Sequence, residues 1–190
     1  LSDEAAARSL AQKLVVEAEL RMLRAQLEPH MLFNTLANLR SLVDDDPTQA
    51  KHMIDQLITY LRSALAGSRS DTTTLRAEFA QLAAYLEIMS LRLGRRLRYQ
   101  LDLPEALQQA TVPAMLLQPL VENAIKHGIE PKIGGGAIAV TARSTNGSLE
   151  LEVADTGLGL PPDHDPDHSS DSYGLVHVRD RLRALYGSHA

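Results

Sequence analysis

The chain contains no cysteine and no tryptophan. Without cysteine, a disulfide framework, a thiolate metal site and a cysteine nucleophile are excluded. Positive charge is in short supply: 19 Lys and Arg stand against 24 Asp and Glu, for a formal charge of −5. With a pI near 5.8, a broad cationic surface for nucleic acid or anionic lipid is not expected. No apolar run approaches the ~20 residues of a membrane span, and no signal-peptide pattern opens the chain. The expectation is a soluble, cytoplasmic piece. Because it begins with Leu1, it is also expected to be a fragment of a longer protein, with any membrane sensor lying N-terminal to it. What is present is globular in texture: 44% hydrophobic, 23% charged and 4% aromatic residues, too apolar for a disordered chain. At 190 residues there is room for one medium domain or two small ones, since domains cluster at roughly 100–150 residues.

No glycine precedes Gly67, and only Pro29 and Pro47 interrupt that stretch. Ser2-Asp3-Glu4 can cap a helix start. Leu10, Leu14, Leu20, Leu23, Leu27 and Met31 then recur mostly at three- and four-residue steps, an apolar stripe on a long helix. Leu32, Leu36, Leu39 and Val43 continue it until Asp44-Asp45-Asp46-Pro47, where the pre-proline restriction and three carboxylates at a helix C-terminus both favour a stop. A second helix starts near Thr48, with Ile54, Ile58, Leu61 and Leu65 at 4-3-4 spacing. Two long helices and a short acidic turn predict an antiparallel hairpin. One hairpin leaves each stripe half wet, so dimerisation into a four-helix bundle is expected.

Gly67-Ser68-Arg69-Ser70-Asp71 reads as a linker, giving a hairpin domain over 1–66, a linker over 67–73 and a second domain over 74–190. In the second domain the pattern predicts a helix from Leu75 to Leu93, a strand from Arg98 to Leu103, and a helix from Met115 closed by Gly128 at C′. A turn at Gly134-Gly135-Gly136 leads to a strand through Ile138-Ala139-Val140. Asn146-Gly147 marks a hairpin into the alternation of Leu149, Leu151 and Val153. A last helix spans Leu175 to Tyr186. Helices on one face of an antiparallel sheet make an α+β sandwich.

Four segments carry chemistry. The first is Glu28-Pro29-His30-Met31-Leu32-Phe33-Asn34. A proline inside a helix costs about 3 kcal/mol, an expense rarely kept without a use for the kink, and His30 and Asn34 share a face one turn apart. An ordinary surface histidine is the competing reading. The second is Gln118-Pro119-Leu120-Val121-Glu122-Asn123-Ala124-Ile125-Lys126-His127-Gly128. Asn123, Lys126 and His127 converge at i, i+3 and i+4; an amide oxygen is a hard ligand suited to Mg²⁺, and lysine is a point charge for phosphate. A half-exposed polar helix face is the alternative. The third is Asp155-Thr156-Gly157-Leu158-Gly159, a carboxylate at a strand end followed by alternating glycines. Glycine lets backbone approach a planar ligand, and Asp155 can accept from an exocyclic amine such as that of adenine. The same tripeptide also suits an aspartic-protease loop, which Gly159 and the flanking helices argue against, or a ligand-free tight turn. The fourth is Ser172-Tyr173-Gly174, a helix start whose backbone N–H groups suit phosphate. His164-Asp165-Pro166-Asp167-His168 reads as a solvated loop rather than a metal site.

Taken in order, these segments resemble the sensor histidine kinases of two-component systems, and in particular the bacterial LytS/YehU-like family with its Pro-His-x-Leu-Phe-Asn acceptor motif. The resemblance covers most of the chain from about residue 20. It implies a dimerising phosphoacceptor hairpin followed by a GHKL-type (Bergerat) ATP-binding α/β sandwich. It implies His30 as phosphoacceptor, with Glu28, Asn34 and Glu122 as candidates to orient the ring or take its proton. It further implies Asn123 as the Mg²⁺ ligand, with Lys126 and His127 near the phosphates. Asp155 matches the adenine-binding aspartate, Gly157 and Gly159 its glycine partners, and Gly174 the glycine near the phosphates, after an ATP lid over 161–172. The implied ligands are ATP and Mg²⁺, and the implied partners a second copy of the chain and a response-regulator receiver domain. Nucleic acid and direct membrane contact are not expected, the parent being anchored through its N-terminal sensor region. Met31 replaces the usual Phe, Thr156 stands where the family usually has Asn, and Ser172 and His177 replace a Gly and an Asn of the last box. The family also adds strand sequence beyond Tyr186-Gly187, so an exposed sheet edge is expected. A GHKL-type ATPase, or a nucleotide-binding scaffold without phosphohistidine chemistry, are the rival readings.

Overall fold

The computed structural model describes residues 29–67, 71–159 and 173–187. The expected cap at Ser2-Asp3-Glu4, the first half of the leading helix and Glu28 lie outside them. Two helices come first, α1 (Pro29–Asp45) and α2 (Pro47–Gly67). Asp46 does more than end the first one. Its N–H donates to the Leu42 carbonyl (2.8 Å), its own carbonyl accepts from Ala50 N–H (2.9 Å), and its Oδ1 accepts from Gln49 N–H (3.0 Å). It is therefore the N-cap of α2, followed by a proline at the first helical position, where the missing N–H costs nothing. Met31 and Tyr60 stand at similar distances on either side of this turn and share one buried cluster with Ala64, as a hairpin that folds back requires. Thr35, fully buried, satisfies its hydroxyl on the Met31 carbonyl (2.8 Å). Phe33, Leu36, Val43, Ile54 and Ile58 remain exposed.

Next, β1 (Thr72–Thr74), which takes up the last two residues of the expected linker, leads directly into α3 (Leu75–Leu93). The Thr74 side chain accepts from Ala77 N–H, and Gly94 at φ +59° ends the helix, so the expected boundaries hold. Leu75, Leu82, Leu86, Ile88 and Met89 are fully buried, and α3 is the central pillar. It packs on the sheet with one flank and on α2 with the other, where the Tyr60 and Tyr85 rings lie 5.7 Å apart and His52 Nε2 meets Glu87 Oε1 at 2.9 Å.

The sheet has the order β2 (Leu97–Asp102), β4 (Gly136–Thr145), β5 (Ser148–Asp155). The expected antiparallel sheet is corrected here: β4 and β5 are antiparallel, but β2 and β4 run parallel. The physical reason is the crossover between them, which carries a helix and returns the chain to the end of the sheet at which β2 began. A short β3 (Thr111–Pro113) pairs with β1 instead. The β4–β5 turn is the expected one, with Asn146 at φ +54° and Gly147 at φ +81°, both positive as a type I′ turn demands. Along β4, Ile138, Val140 and Ala142 face the helices and are buried, while Ala137, Ala139 and Thr141 between them are half-buried.

A second correction concerns the crossover helix. It does not start at Met115, which sits at φ +58° in the left-handed region. The buried carboxylate of Glu78 holds this approach by accepting from Met115 N–H (3.1 Å) and Leu117 N–H (2.9 Å); burial raises its pKa against those hydrogen bonds. The α-helical part, α4, is only Gln118–Asn123. Residues Ala124–Ile129 widen into a π turn, with Glu130 N–H donating to the Ile125 carbonyl (2.8 Å). Gly128 thus lies inside the turn rather than after the helix. The last helix, α5 (Tyr173–Tyr186), packs Val178 and Leu182 against the core. Among the described residues, no helix is long and apolar enough to cross a membrane.

Glu87 joins three elements, since its Oε2 also accepts from the Tyr99 hydroxyl on β2 (2.6 Å). These hydrogen bonds, Tyr99 first and His52 second, hold the Glu87 carboxyl below its usual range. Burial, then the Glu87 hydrogen bond, push Tyr99 up to about 12. The stabilisation from neutral Tyr99 is therefore complete below its unfolded value near 10 and is lost as pH rises through about 12. Glu87 contributes in the opposite sense: its share is present above its unfolded value and fades as pH falls through the lower folded one. Ultraviolet titration should show one tyrosine ionising near 12 that disappears in Tyr99→Phe. In Glu87→Gln the same ionisation should move down without reaching 10, because burial remains.

Candidate functional site

The π turn after α4 and the end of β5 meet back to back. A Cβ built on Gly157 would sit 2.4 Å from the Gly128 Cα, and one on Gly128 would sit 2.8 Å from Asp155 Oδ1. Only two glycines allow this approach, which is the tertiary reason for Gly128's place. The Leu158 N–H donates to the Gly128 carbonyl (3.1 Å), clamping the loop after β5 to the turn. Within the loop, Gly157 N–H donates to Asp155 Oδ1 (2.8 Å). Thr156 extends the strand ladder: its N–H donates to the Ala137 carbonyl (3.0 Å), and its hydroxyl accepts from Ala137 N–H (2.9 Å). Asp155 is exposed, and no hydrogen bond among the described residues occupies its Oδ2. An exposed carboxylate braced through one oxygen presents the other to a donor. Gly159 follows in a left-handed turn at φ +75°, with open space where a side chain would begin.

From the other side come α4 and its π turn. Asn123 and His127 are half-buried and Lys126 is exposed, and Lys126 and His127 are already engaged within the fold. Glu122 accepts from Gln118 Nε2 (2.8 Å), and the same amide reaches the Tyr60 hydroxyl on the hairpin at 3.4 Å. The structure thus brings Gly128, at the end of the segment that bears Asn123, Lys126 and His127, against Asp155 and Gly157. Gly174 lies in the first turn of α5. His30 lies in the first described turn of α1, with Asn34 one turn further on and half-buried. Glu28, the lid at 161–172 and the loop His164-Asp165-Pro166-Asp167-His168 are outside the described residues. No cluster of three or more His, Asp or Glu among the described residues is arranged to hold a metal.

Two cavities are bounded by described residues. One of about 540 Å³ runs under α5, lined by Leu116, Leu117, Leu120, Leu149, Leu151 and Leu182 among others. One of about 250 Å³ on the sheet touches Asp155 and Thr156, but none of Asn123 to Gly128 lines it. Sequence reasoning passed over Lys132, Gln118 and Glu78, all of which act through partners distant in the chain. Lys132 Nζ lies 2.5 Å from the Thr156 carbonyl oxygen and 3.4 Å from that of Gly157, and no local pattern announces it.

A mixed sheet backed by helices, with an Asn-bearing crossover turn against an Asp-x-Gly-x-Gly loop, defines an ATPase-like sandwich joined to a helical hairpin. Residues 109–188 match the family model described as histidine kinase-, DNA gyrase B-, and HSP90-like ATPase, and residues 18–97 the one described as histidine kinase. Together the two matches span most of the chain, a histidine kinase segment followed by an ATPase segment. It is 35% identical over 174 residues to the sensor histidine kinase BtsS of Escherichia coli (strain K12), covering 92% of this chain and 30% of that protein. It is 32% identical over 189 residues to the sensor protein LytS of Bacillus subtilis (strain 168), covering 95% of this chain and 32% of that one. The chain therefore spans about a third of the length of these relatives. The fold is similar to that of the histidine kinase domain of a blue-light activated histidine kinase from Erythrobacter litoralis, with a TM-score of 0.52 at 17% identity over 90% of this chain and 85% of that one.

Proposed function

We propose that this chain is the kinase core of a two-component sensor, in which His30 takes the γ-phosphoryl group of ATP and passes it to an aspartate of a response regulator. The observation that carries the nucleotide half is the Gly128–Gly157 approach, which sets Asp155, with one oxygen unoccupied among the described residues, beside the end of the segment bearing Asn123, Lys126 and His127. Asp155 accepts from the adenine amine, while Gly157 and Gly159 keep the loop thin enough for a flat base. Lys126, His127 and the N-terminal turn at Gly174 face the phosphates. Asn123 is the residue suited to hold Mg²⁺: a single amide oxygen, with no carboxylate cluster beside it among the described residues, fits an ion whose other ligands are phosphates and water. Bound there, the ion neutralises triphosphate charge.

In the transfer, an unprotonated ring nitrogen of His30 forms a bond to the γ-phosphorus as the bond to the bridging oxygen breaks and ADP leaves. The proton on the ring's other nitrogen must then go to a base. Asn34 and Glu28 are placed by sequence to orient the ring, and Glu122, next to Asn123, to accept that proton. Such transfer rests mainly on positioning and charge stabilisation. It therefore requires the sandwich, carried on the linker over 67–73, to approach the hairpin domain over 1–66.

The exposed Phe33, Leu36, Val43, Ile54 and Ile58 on the hairpin fit burial against a second copy in a four-helix bundle. Sedimentation should give a dimer, and Ile58→Lys, which charges that face without touching the core, should shift it to monomer. The "sensor" names of the relatives support a position on the cytoplasmic side of a membrane-anchored parent. Isothermal titration with Mg·ATP tests the nucleotide half. Steady phosphate release with no phosphoprotein would show an ATPase in place of the kinase.

A further inference from the structure

We propose that Lys132 is a positioning residue for the base-recognition carboxylate, which it aims through a single peptide unit. The inference rests on Asp155 as the acceptor of the adenine amine. The Thr156 carbonyl and the Gly157 N–H belong to the same planar trans peptide, so they point in opposite directions. Lys132 Nζ holds that carbonyl at 2.5 Å on one side, and on the other the N–H donates to Asp155 Oδ1 at 2.8 Å. Turning the peptide over would break both contacts together.

Something has to prevent that turn. Gly157 has no side chain, and its backbone tolerates either peptide orientation. It cannot be replaced by a stiffer residue, because a Cβ would run into the Gly128 backbone. The restraint must therefore come from outside the loop. Lys132 is itself anchored: the Arg96 guanidinium donates to the carbonyls of Glu130 (2.6 Å) and Lys132 (3.0 Å), and Glu130 is paired with Arg92 at the end of α3. A chain of contacts thus runs from the central helix to the oxygen that holds Asp155 in place. Among the described residues, the ammonium's hydrogen bonds go to the Thr156 carbonyl and, at 3.4 Å, the Gly157 carbonyl.

The test is direct binding of ATP, of ADP and of the purine riboside triphosphate that lacks the exocyclic amine, to the whole chain and to Lys132→Met and Lys132→Arg. Loss of one charge-assisted hydrogen bond predicts that Lys132→Met weakens ATP and ADP alike, by about tenfold. Lys132→Arg should recover most of this. The penalty for lacking the amine should shrink in Lys132→Met, because a carboxylate no longer aimed gains little from the amine. A merely structural lysine would weaken all three ligands equally and leave that penalty unchanged, which overturns the proposal. So does unchanged affinity in Lys132→Met, or a loss confined to the triphosphates, which would put the ammonium on phosphate. If the unsubstituted chain binds no adenine nucleotide, the reading of Asp155 falls first and the proposal with it.

Discussion

Gly157→Ala is expected to abolish measurable nucleotide binding and to lower stability by about 1–3 kcal/mol. The added methyl would lie 2.4 Å from the Gly128 Cα and within 2.6 Å of its carbonyl atoms. These are backbone atoms and cannot rotate away, so the loop after β5 must lift from the π turn. Lifting breaks the Leu158-to-Gly128 hydrogen bond and carries Asp155 off its position. Gly128→Ala meets a different neighbour, the Asp155 carboxylate oxygen at 2.8 Å. A side chain can turn, so stability should fall less while affinity still falls. Gly134→Ala, with nothing within 4 Å of the new methyl, is the control and should leave both unchanged. Urea midpoints and isothermal titration on the three variants give the comparison. Equal, small effects at Gly157 and Gly134 would mean that the two segments do not meet as described.

Local signals carried much of the fold. The Leu75–Leu93 helix was legible because its apolar periodicity runs uninterrupted between Thr74 and Gly94, and the Asn146-Gly147 turn because few dipeptides tolerate two positive φ angles. The acidic stop at Asp46-Pro47 was read correctly as a break, although the cap it supplies to α2 was not. What stayed hidden depends on partners far along the chain. The parallel pairing of β2 with β4 is decided by the crossover, not by either strand. Met115 departs from helix because Glu78, thirty-seven residues earlier, offers its N–H a buried carboxylate. The π turn exists where Gly128 must fit against Gly157, and no periodicity encodes that contact. Of the candidate site, sequence named the residue types that face a ligand, Asn123, Lys126, His127, Asp155 and the glycines. It could not name what holds them, such as Lys132 behind the loop or Gln118 between Glu122 and Tyr60. Those roles are geometric, and charge or spacing alone does not express them.

The substitution with the most complete expected effect is His30→Gln. Glutamine is a good helix former and keeps a polar side chain of similar reach, so α1 and the dimer should persist. Its amide nitrogen has no available lone pair, because that pair is delocalised into the carbonyl, and so it cannot attack phosphorus. Affinity for Mg·ATP should be unchanged, since Asn123, Lys126, Asp155 and the glycine loop lie in the other domain. The account thus separates two functions that a global defect would lose together: nucleotide binding survives and phosphoprotein formation does not. The deciding measurement is incubation of the chain and of His30→Gln with Mg²⁺ and ATP labelled at the γ position. The account predicts label on the unsubstituted protein that is lost in acid and kept in alkali, as a phosphorus–nitrogen bond requires, and none on His30→Gln. Label persisting on His30→Gln, or an unsubstituted dimer that binds ATP yet never becomes labelled, would contradict it.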